Sequence, residues 1–223
     1  REAQPVLRAG PLVPGPGRRG TGAREQSRAE ELANSLSHGV GFLAVAAAAP
    51  ALFTGALPPA TKTMVGNALF SATLLLLYLV STLYHALPPG RANHQVIFLA
   101  IAGTYTPFTL GVLQGAWGWT LLALVWGAAL AGIVLKAVAG VRWPALAMAL
   151  YLGMGWLVLV AIAPLAQRMP VPGLLWLLAG GLAYTGGLGF YAARRRYCHF
   201  AWHLCVLAGT GCHFVAVLRY AAG

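Results

Sequence analysis

Three histidines, His199, His203 and His213, stand in one apolar stretch near the C-terminal end of the chain. At about 100° of rotation per helical residue, His203 and His213 lie about 40° on either side of His199, so all three share one face. Residues four apart on a helix are close enough to bind one ion, and imidazole is a common metal ligand. The spacing therefore indicates either a metal site or hydrogen bonds between helices.

The composition shows what surrounds these histidines. Of 223 residues, 59% are hydrophobic and only 9% are charged, whereas soluble domains carry roughly 25% charged residues. An ordinary soluble domain is thus excluded, and the chain divides into segments of roughly 20 residues, enough to cross a bilayer as a helix. We expect seven such segments, at residues 36–57, 64–86, 94–113, 117–138, 143–164, 171–191 and 199–220.

These segments favour helices over barrel strands because they are rich in Leu, Ala, Val and Gly and show no strict alternation. Proline and glycine fall in the gaps between them, as at 88–90 and 170–173. The fold class predicted is all-α, a seven-helix transmembrane bundle at 31–223. Residues 1–30 are basic and rich in Pro and Gly, and we expect a disordered tail there.

The basic residues give the bundle an orientation. With the N-terminus in the cytoplasm, 12 of the 15 Lys and Arg residues lie on the inner side and 3 on the outer side, as the positive-inside rule requires. The inner residues are Arg1, Arg8, Arg18, Arg19, Arg24, Arg28, Arg91, Lys136, Arg142, Arg194, Arg195 and Arg196, and the outer ones are Lys62, Arg168 and Arg219. The formal charge of +11 is then mostly topological, so we expect no nucleic-acid partner and a C-terminus outside.

This topology brings five of the six histidines to one membrane depth. The inner ends of four helices carry His38, His85, His94, His199 and His203, and only His213 lies deeper. Polar groups in membrane helices normally face the bundle interior. We expect His38 to act locally, at the start of helix 1, and His213 to make a hydrogen bond between helices.

Four motifs in chain order carry a resemblance to a known family. They are E-x-x-N-x-x-S-H at 31–38, S-x-x-Y-H at 81–85, A-G-T-Y-T-P-F at 102–108, and H-x-x-x-H at 199–203 ahead of G-x-x-x-H-F. Together they resemble the hemolysin III family, within the progestin and adipoQ receptor (PAQR) group, which is distantly similar to alkaline ceramidases. The resemblance covers residues 30–220.

The resemblance implies a seven-helix bundle with a zinc ion near the inner leaflet. The positions that match the family's ligands are His85, His199 and His203. Where the family usually has an aspartate at the opening of helix 3, this chain has Asn93, which can orient a water but cannot act as a general base. The chain contains no Asp at all, so Glu31 is the one carboxylate expected near the site.

The chemistry of such a site leaves several functions open. Three neutral imidazoles leave one position on zinc free, which is the pattern of catalytic zinc. We therefore expect either a lipid-modulating or lipid-sensing membrane protein or a zinc-dependent hydrolase of lipid amide or ester bonds. For the hydrolase, the candidate catalytic residues are Glu31, Asn93 and Ser81.

Further alternatives remain. A haem protein is a chemical rival, and a pore-forming cytolysin is a third function, although no helix is expected to carry a water-lining polar stripe along its length. The expected partners are membrane lipids. The expected location is the cytoplasmic membrane of a bacterium.

The orientation can be tested with reporter fusions. Fusions after Arg91 and after Arg196 should both report a cytoplasmic location, because each site lies in a basic inner loop. An exterior signal at either point would overturn the orientation and would divide the proposed site between the two leaflets.

Overall fold

The computed structural model of the chain describes residues 26–54, 60–87, 95–139, 144–193 and 195–221. Within these ranges the regular structure is entirely helical, so the predicted fold class is confirmed. The α-helices are α1 (Arg28–Ala48), α2 (Thr61–Ala86), α3 (Val96–Pro107), α4 (Gly115–Ala139), α5 (Pro144–Gly155), α6 (Ile162–Arg168), α7 (Val171–Ala192) and α8 (Cys198–Tyr220). Over these ranges they make seven segments long and apolar enough to cross a membrane.

The first helix begins eight residues before the predicted start at 36. Ser27 caps it: the Ser27 hydroxyl accepts from the backbone N–H of Glu30, and the Glu30 carboxylate accepts from the backbone N–H of Ser27. This reciprocal pair satisfies two donors that would otherwise lack partners. Residues 28–30 therefore form the first turn of α1, whereas residues 1–25 of the predicted tail lie outside the described residues.

The fifth segment, predicted as one helix, is interrupted within the bundle. The helix α5 ends at Gly155, a 3₁₀ turn covers Leu157–Ala161, and α6 follows. The Tyr105 hydroxyl meets the backbone released there, at 2.8 Å from the carbonyl oxygen of Met154 and 2.7 Å from that of Gly155. The break is tolerated because a neighbouring helix supplies partners for the backbone groups.

The third segment changes its helical form after its proline. Pro107 ends α3, and a π-helix follows over Phe108–Leu113. Proline lacks the backbone N–H and its ring clashes with the preceding turn, so a regular α-helix does not continue unchanged past this residue. The helical segment ends at Leu113, and the next two residues, Gln114 and Gly115, both have positive φ.

Helix α2 lies between α1 and α3, and α8 packs against both α7 and α1. Phe70, Leu74 and Tyr78 of α2 are completely buried. Helices α1, α2 and α8 therefore form one side of the bundle, and the N-terminal ends of α1 and α8 meet the C-terminal end of α2. This arrangement positions the histidines.

Helix α2 also carries a row of buried polar side chains. Thr63, Asn67 and Ser71 lie at four-residue spacing in its N-terminal half and are buried, as are Tyr78 and His85 further along. The apolar Leu74 lies between the polar residues of this row. The Asn67 amide donates to the backbone carbonyl of Leu52 in the first segment. These groups thus form a row along α2 that is buried inside the bundle.

The close contact between α2 and α3 gives a stability prediction. A Cβ at Gly103 would lie 1.8 Å from the Thr73 hydroxyl oxygen, whereas a Cβ at Gly127 of α4 would meet nothing within 4 Å. Gly103→Ala should therefore lower the free energy of unfolding by about 1–3 kcal/mol through overpacking. The matched control Gly127→Ala should leave it unchanged or raise it by up to about 1 kcal/mol. Thermal unfolding in detergent measures both, and equal melting temperatures would contradict the prediction.

Candidate metal centre

Three histidines from two helices come together at the end of the bundle where α2 ends and α8 begins. One ligand nitrogen from each of His85, His199 and His203 lies within 4.8 Å of those of the other two. The Nε2 atoms of His85 and His199 are 3.3 Å apart. Two ligands of a tetrahedral ion bound at 2.0–2.1 Å would be separated by about 3.3 Å. This group of side chains, the histidine triad, can therefore hold a metal ion.

A carboxylate of α1 orients the first member of the triad. The Nδ1 of His85 lies 2.6 Å from Oε2 of Glu31, and the Glu31 side chain is 38% exposed while that of His85 is 1% exposed. The carboxylate oxygen accepts, so Nδ1 carries the hydrogen and Nε2 of a neutral ring keeps its lone pair. Such carboxylate–histidine pairs are the usual second layer around a bound metal.

The backbone of α1 orients the second member in the same way. The Nδ1 of His203 lies 3.1 Å from the carbonyl oxygen of Asn34 and 3.0 Å from the Ser37 hydroxyl. A carbonyl only accepts, so Nδ1 donates and the lone pair is on Nε2. That Nε2 is buried and has no hydrogen-bond partner among the described residues. A buried nitrogen lone pair without a donor is expected where a metal binds.

A fourth histidine lies against the triad without belonging to it. The His38 ring stacks on that of His203, with centroids 3.6 Å apart and planes 10° from parallel. Its Nδ1 is 2.7 Å from the Ser81 hydroxyl. The expectation that His38 acts only locally at the start of helix 1 is therefore wrong. The sequence did contain a signal for this position: His38 follows Asn34 by four residues, so both lie on the face of α1 that meets His203.

The other residues singled out in the sequence analysis lie beside the triad, further along α8 or outside the described residues. Nε2 of His213 donates to the carbonyl oxygen of Leu177 at 3.3 Å, which confirms a hydrogen bond between α8 and α7. Asn93 and His94 lie outside the described residues. Ser81 contacts His38, and Glu31 contacts His85.

The second acidic residue of the described chain has a structural task that the sequence analysis missed. Glu30 is 2% exposed. Its Oε1 accepts from the backbone N–H of Tyr197 at 2.9 Å, while its Oε2 serves the cap of α1. Tyr197 has a left-handed conformation and directly precedes α8. Glu30 therefore joins the start of α1 to the start of α8, beside the triad.

A cavity adjoins the cluster inside the bundle. Its interior volume is about 140 Å³. Its walls come mainly from α3, α5, α7 and α8, and they are almost entirely apolar. His38 lines it at the level of the triad, and His213 lines it further along α8. Cavities of this kind typically hold apolar ligands.

The fold and the cluster together define a class: a multi-pass integral membrane protein of seven helical segments, with a histidine triad able to hold a metal ion. The family model described as "Haemolysin-III related" matches residues 26–214. The chain belongs to this family.

Two curated relatives agree. The chain is 37% identical to "Hemolysin-3" of Bacillus cereus over 200 residues, which is 86% of this chain and 91% of the relative. It is 38% identical to "Hemolysin-3 homolog" of Bacillus subtilis (strain 168) over 200 residues, which is 86% of this chain and 94% of the relative.

Proposed function

We propose that the protein binds one zinc ion through His85, His199 and His203 and holds a membrane lipid in the adjoining cavity. In this role it modulates the state of the membrane or senses a lipid. The observation that carries the proposal is the buried Nε2 of His203, which has no hydrogen-bond partner among the described residues and belongs to the same cluster as the Nε2 atoms of His85 and His199.

The donor set suits zinc. Neutral imidazole nitrogens are good ligands for this ion, and each ligand needs its other nitrogen fixed by a hydrogen bond. Glu31 fixes His85, and the carbonyl of Asn34 fixes His203. When bound, zinc supplies Lewis acidity towards a carbonyl oxygen.

The lipid is supported by the walls of the cavity and by its place. The cavity is apolar and partly open, and it reaches the histidine cluster at His38. The charge distribution predicts that this end of the bundle lies at the cytoplasmic leaflet. Both curated relatives are from bacteria, which supports a place in the cytoplasmic membrane of a bacterium.

Elemental analysis of the purified protein tests the metal. Wild type should contain about one zinc per chain, and His85→Ala, His199→Ala and His203→Ala should each lose it. Each loss should also lower the melting temperature, because the ion joins α2 to α8. His213→Ala is the matched control and should keep its zinc. The ligand set would be refuted by zinc loss in His213→Ala together with zinc retention in His85→Ala.

Hydrolysis of a lipid amide or ester is a second candidate function. It is favoured by the Ser81 hydroxyl, which lies 2.7 Å from Nδ1 of His38, one ring away from His203. A hydroxyl paired with an imidazole can donate a hydrogen bond to a reacting group or pass a proton to it. Glu31 is the carboxylate of this candidate site, and it contacts the triad by its hydrogen bond with Nδ1 of His85.

The hydrolytic role predicts opposite effects of two substitutions. Positioned general-base catalysis typically contributes about 10²–10⁴-fold, so Asn93→Asp should raise lipid hydrolysis by at least about tenfold. Glu31→Gln should lower whatever activity the natural protein has. Product release from ceramides and acyl lipids is measured alongside zinc content. If zinc-loaded wild type and Asn93→Asp are both inert on a broad panel, the hydrolase role is wrong and the non-enzymatic role stands.

The names of the two relatives raise lysis of red cells as a third function. The polar side chains described for α2 are buried within the bundle and include a hydrogen bond to the first segment. No observation on the described residues favours a pore, so this function stays the least supported of the three.

A further inference from the structure

Most polar side chains that line the cavity already have partners inside the protein. The hydroxyls of Thr104 and Thr185 donate to carbonyls of their own helices, and that of Tyr105 is engaged with the broken fifth segment. The hydroxyl of Tyr184 lies 2.9 Å from that of Thr210. These groups therefore add little polarity to the wall.

Two lining histidines, His38 and His213, each have one buried nitrogen without a partner among the described residues. The Ser81 hydroxyl that pairs with His38 can donate or accept, so it does not fix which nitrogen of that ring carries the hydrogen. In His213 the partner does fix it. Its Nε2 donates to the carbonyl oxygen of Leu177, so Nδ1 of a neutral ring carries a lone pair and no hydrogen. That Nδ1 is buried, and the described part of the chain offers it no donor. An acceptor buried without a donor costs free energy. The packing of α7 on α8 explains the hydrogen bond that Nε2 makes, but it does not explain why Nδ1 is buried without a donor.

The backbone around His213 leaves room for its ring. A Cβ at Gly180 would lie 2.2 Å from Cδ2 of His213 and 3.1 Å from the carbonyl oxygen of Gly209. A Cβ at Gly209 would lie 2.9 Å from the ring of Tyr184, which is edge-on to that of His213. Two helical glycines therefore accommodate two aromatic rings with polar atoms at this end of the cavity.

The distance from the triad is set by α8. Ten residues separate His203 from His213, which is about 15 Å along the helix axis. His38 lines the cavity at the level of His203, so the cavity has one histidine at each level. Between the two levels Val206 contributes to the apolar wall.

We propose that the cavity binds a lipid chain bearing a hydroxyl group, whose hydrogen is accepted by Nδ1 of His213 about 15 Å from the histidine triad. The inference rests on the proposed function, since it specifies the lipid that the cavity holds. A hydroxyl fits best because Nδ1 of His213 is an acceptor and needs a donor, and because the apolar wall disfavours a charged donor. The ligand class is thus a hydroxylated long-chain lipid.

Equilibrium binding of matched probes to the purified, zinc-loaded full chain tests this. The probes are stearate and hydroxystearates that differ only in the position of the hydroxyl. One position should bind about three- to tenfold more tightly than stearate, the range expected for one buried hydrogen bond. Positions on either side should lose the advantage.

Two substitutions separate the two nitrogens of His213. His213→Asn keeps a polar group at the place of Nδ1, and its carbonyl oxygen can accept, so the preference for the hydroxyl should persist. His213→Gln keeps a donor at the place of Nε2, and with it the bond to α7, but should lose the preference. Zinc content and melting temperature confirm that each variant is folded.

The outcomes distinguish this inference from the proposed function. Equal binding of stearate and every hydroxystearate by wild type overturns the inference and leaves lipid binding intact. A preference that survives in His213→Gln also overturns it, because the hydroxyl is then recognised elsewhere. If no probe binds to wild type, both the inference and the lipid part of the proposed function are wrong.

Discussion

The structure depends on the hydrogen bonds that the N-terminal end of α1 makes to imidazoles of two other helices. Glu31 holds Nδ1 of His85 from α2, and the carbonyl of Asn34 holds Nδ1 of His203 from α8. In a bilayer, buried polar groups without partners are costly, so such bonds specify which helices meet and at what depth. They also leave the remaining nitrogens of both rings directed to one place, which is the condition for binding a metal.

The same requirement explains the irregular backbone of the fifth segment. A helix that breaks at Gly155 releases carbonyls that must be satisfied, and the Tyr105 hydroxyl of α3 contacts them. The Trp156 indole donates to Thr185 of α7, which ties the break to the neighbouring helix. The break therefore lines the cavity without adding unsatisfied groups to its wall. The cavity stays apolar even though many of its lining residues have polar atoms.

Much of the fold could be read from hydrophobic segments alone. For six of the seven predicted segments, both the first and the last residue lie within four residues of the observed bounds. The apolar length needed to cross a bilayer is a strong constraint on these bounds. The first was displaced, since the cap at Ser27 and Glu30 extends α1 through polar residues that no apolar pattern marks. The break at Gly155 was also missed, because the side chain that satisfies its backbone, Tyr105, lies about 50 residues away in the chain.

For the site, the sequence by itself determined the residue types, their helices and their common depth, since helical spacing and chain order set these. The resemblance to the hemolysin III family then selected His85, His199 and His203 from the five histidines at this depth, and the lack of any Asp left Glu31 as the carboxylate beside them. Only the tertiary structure decided which nitrogen of each ring meets α1, that His38 stacks on His203, and that His213 keeps one nitrogen without a partner in the described chain. The physical reason is that ring orientation depends on hydrogen bonds between residues distant in the chain, and neither periodicity nor spacing encodes these.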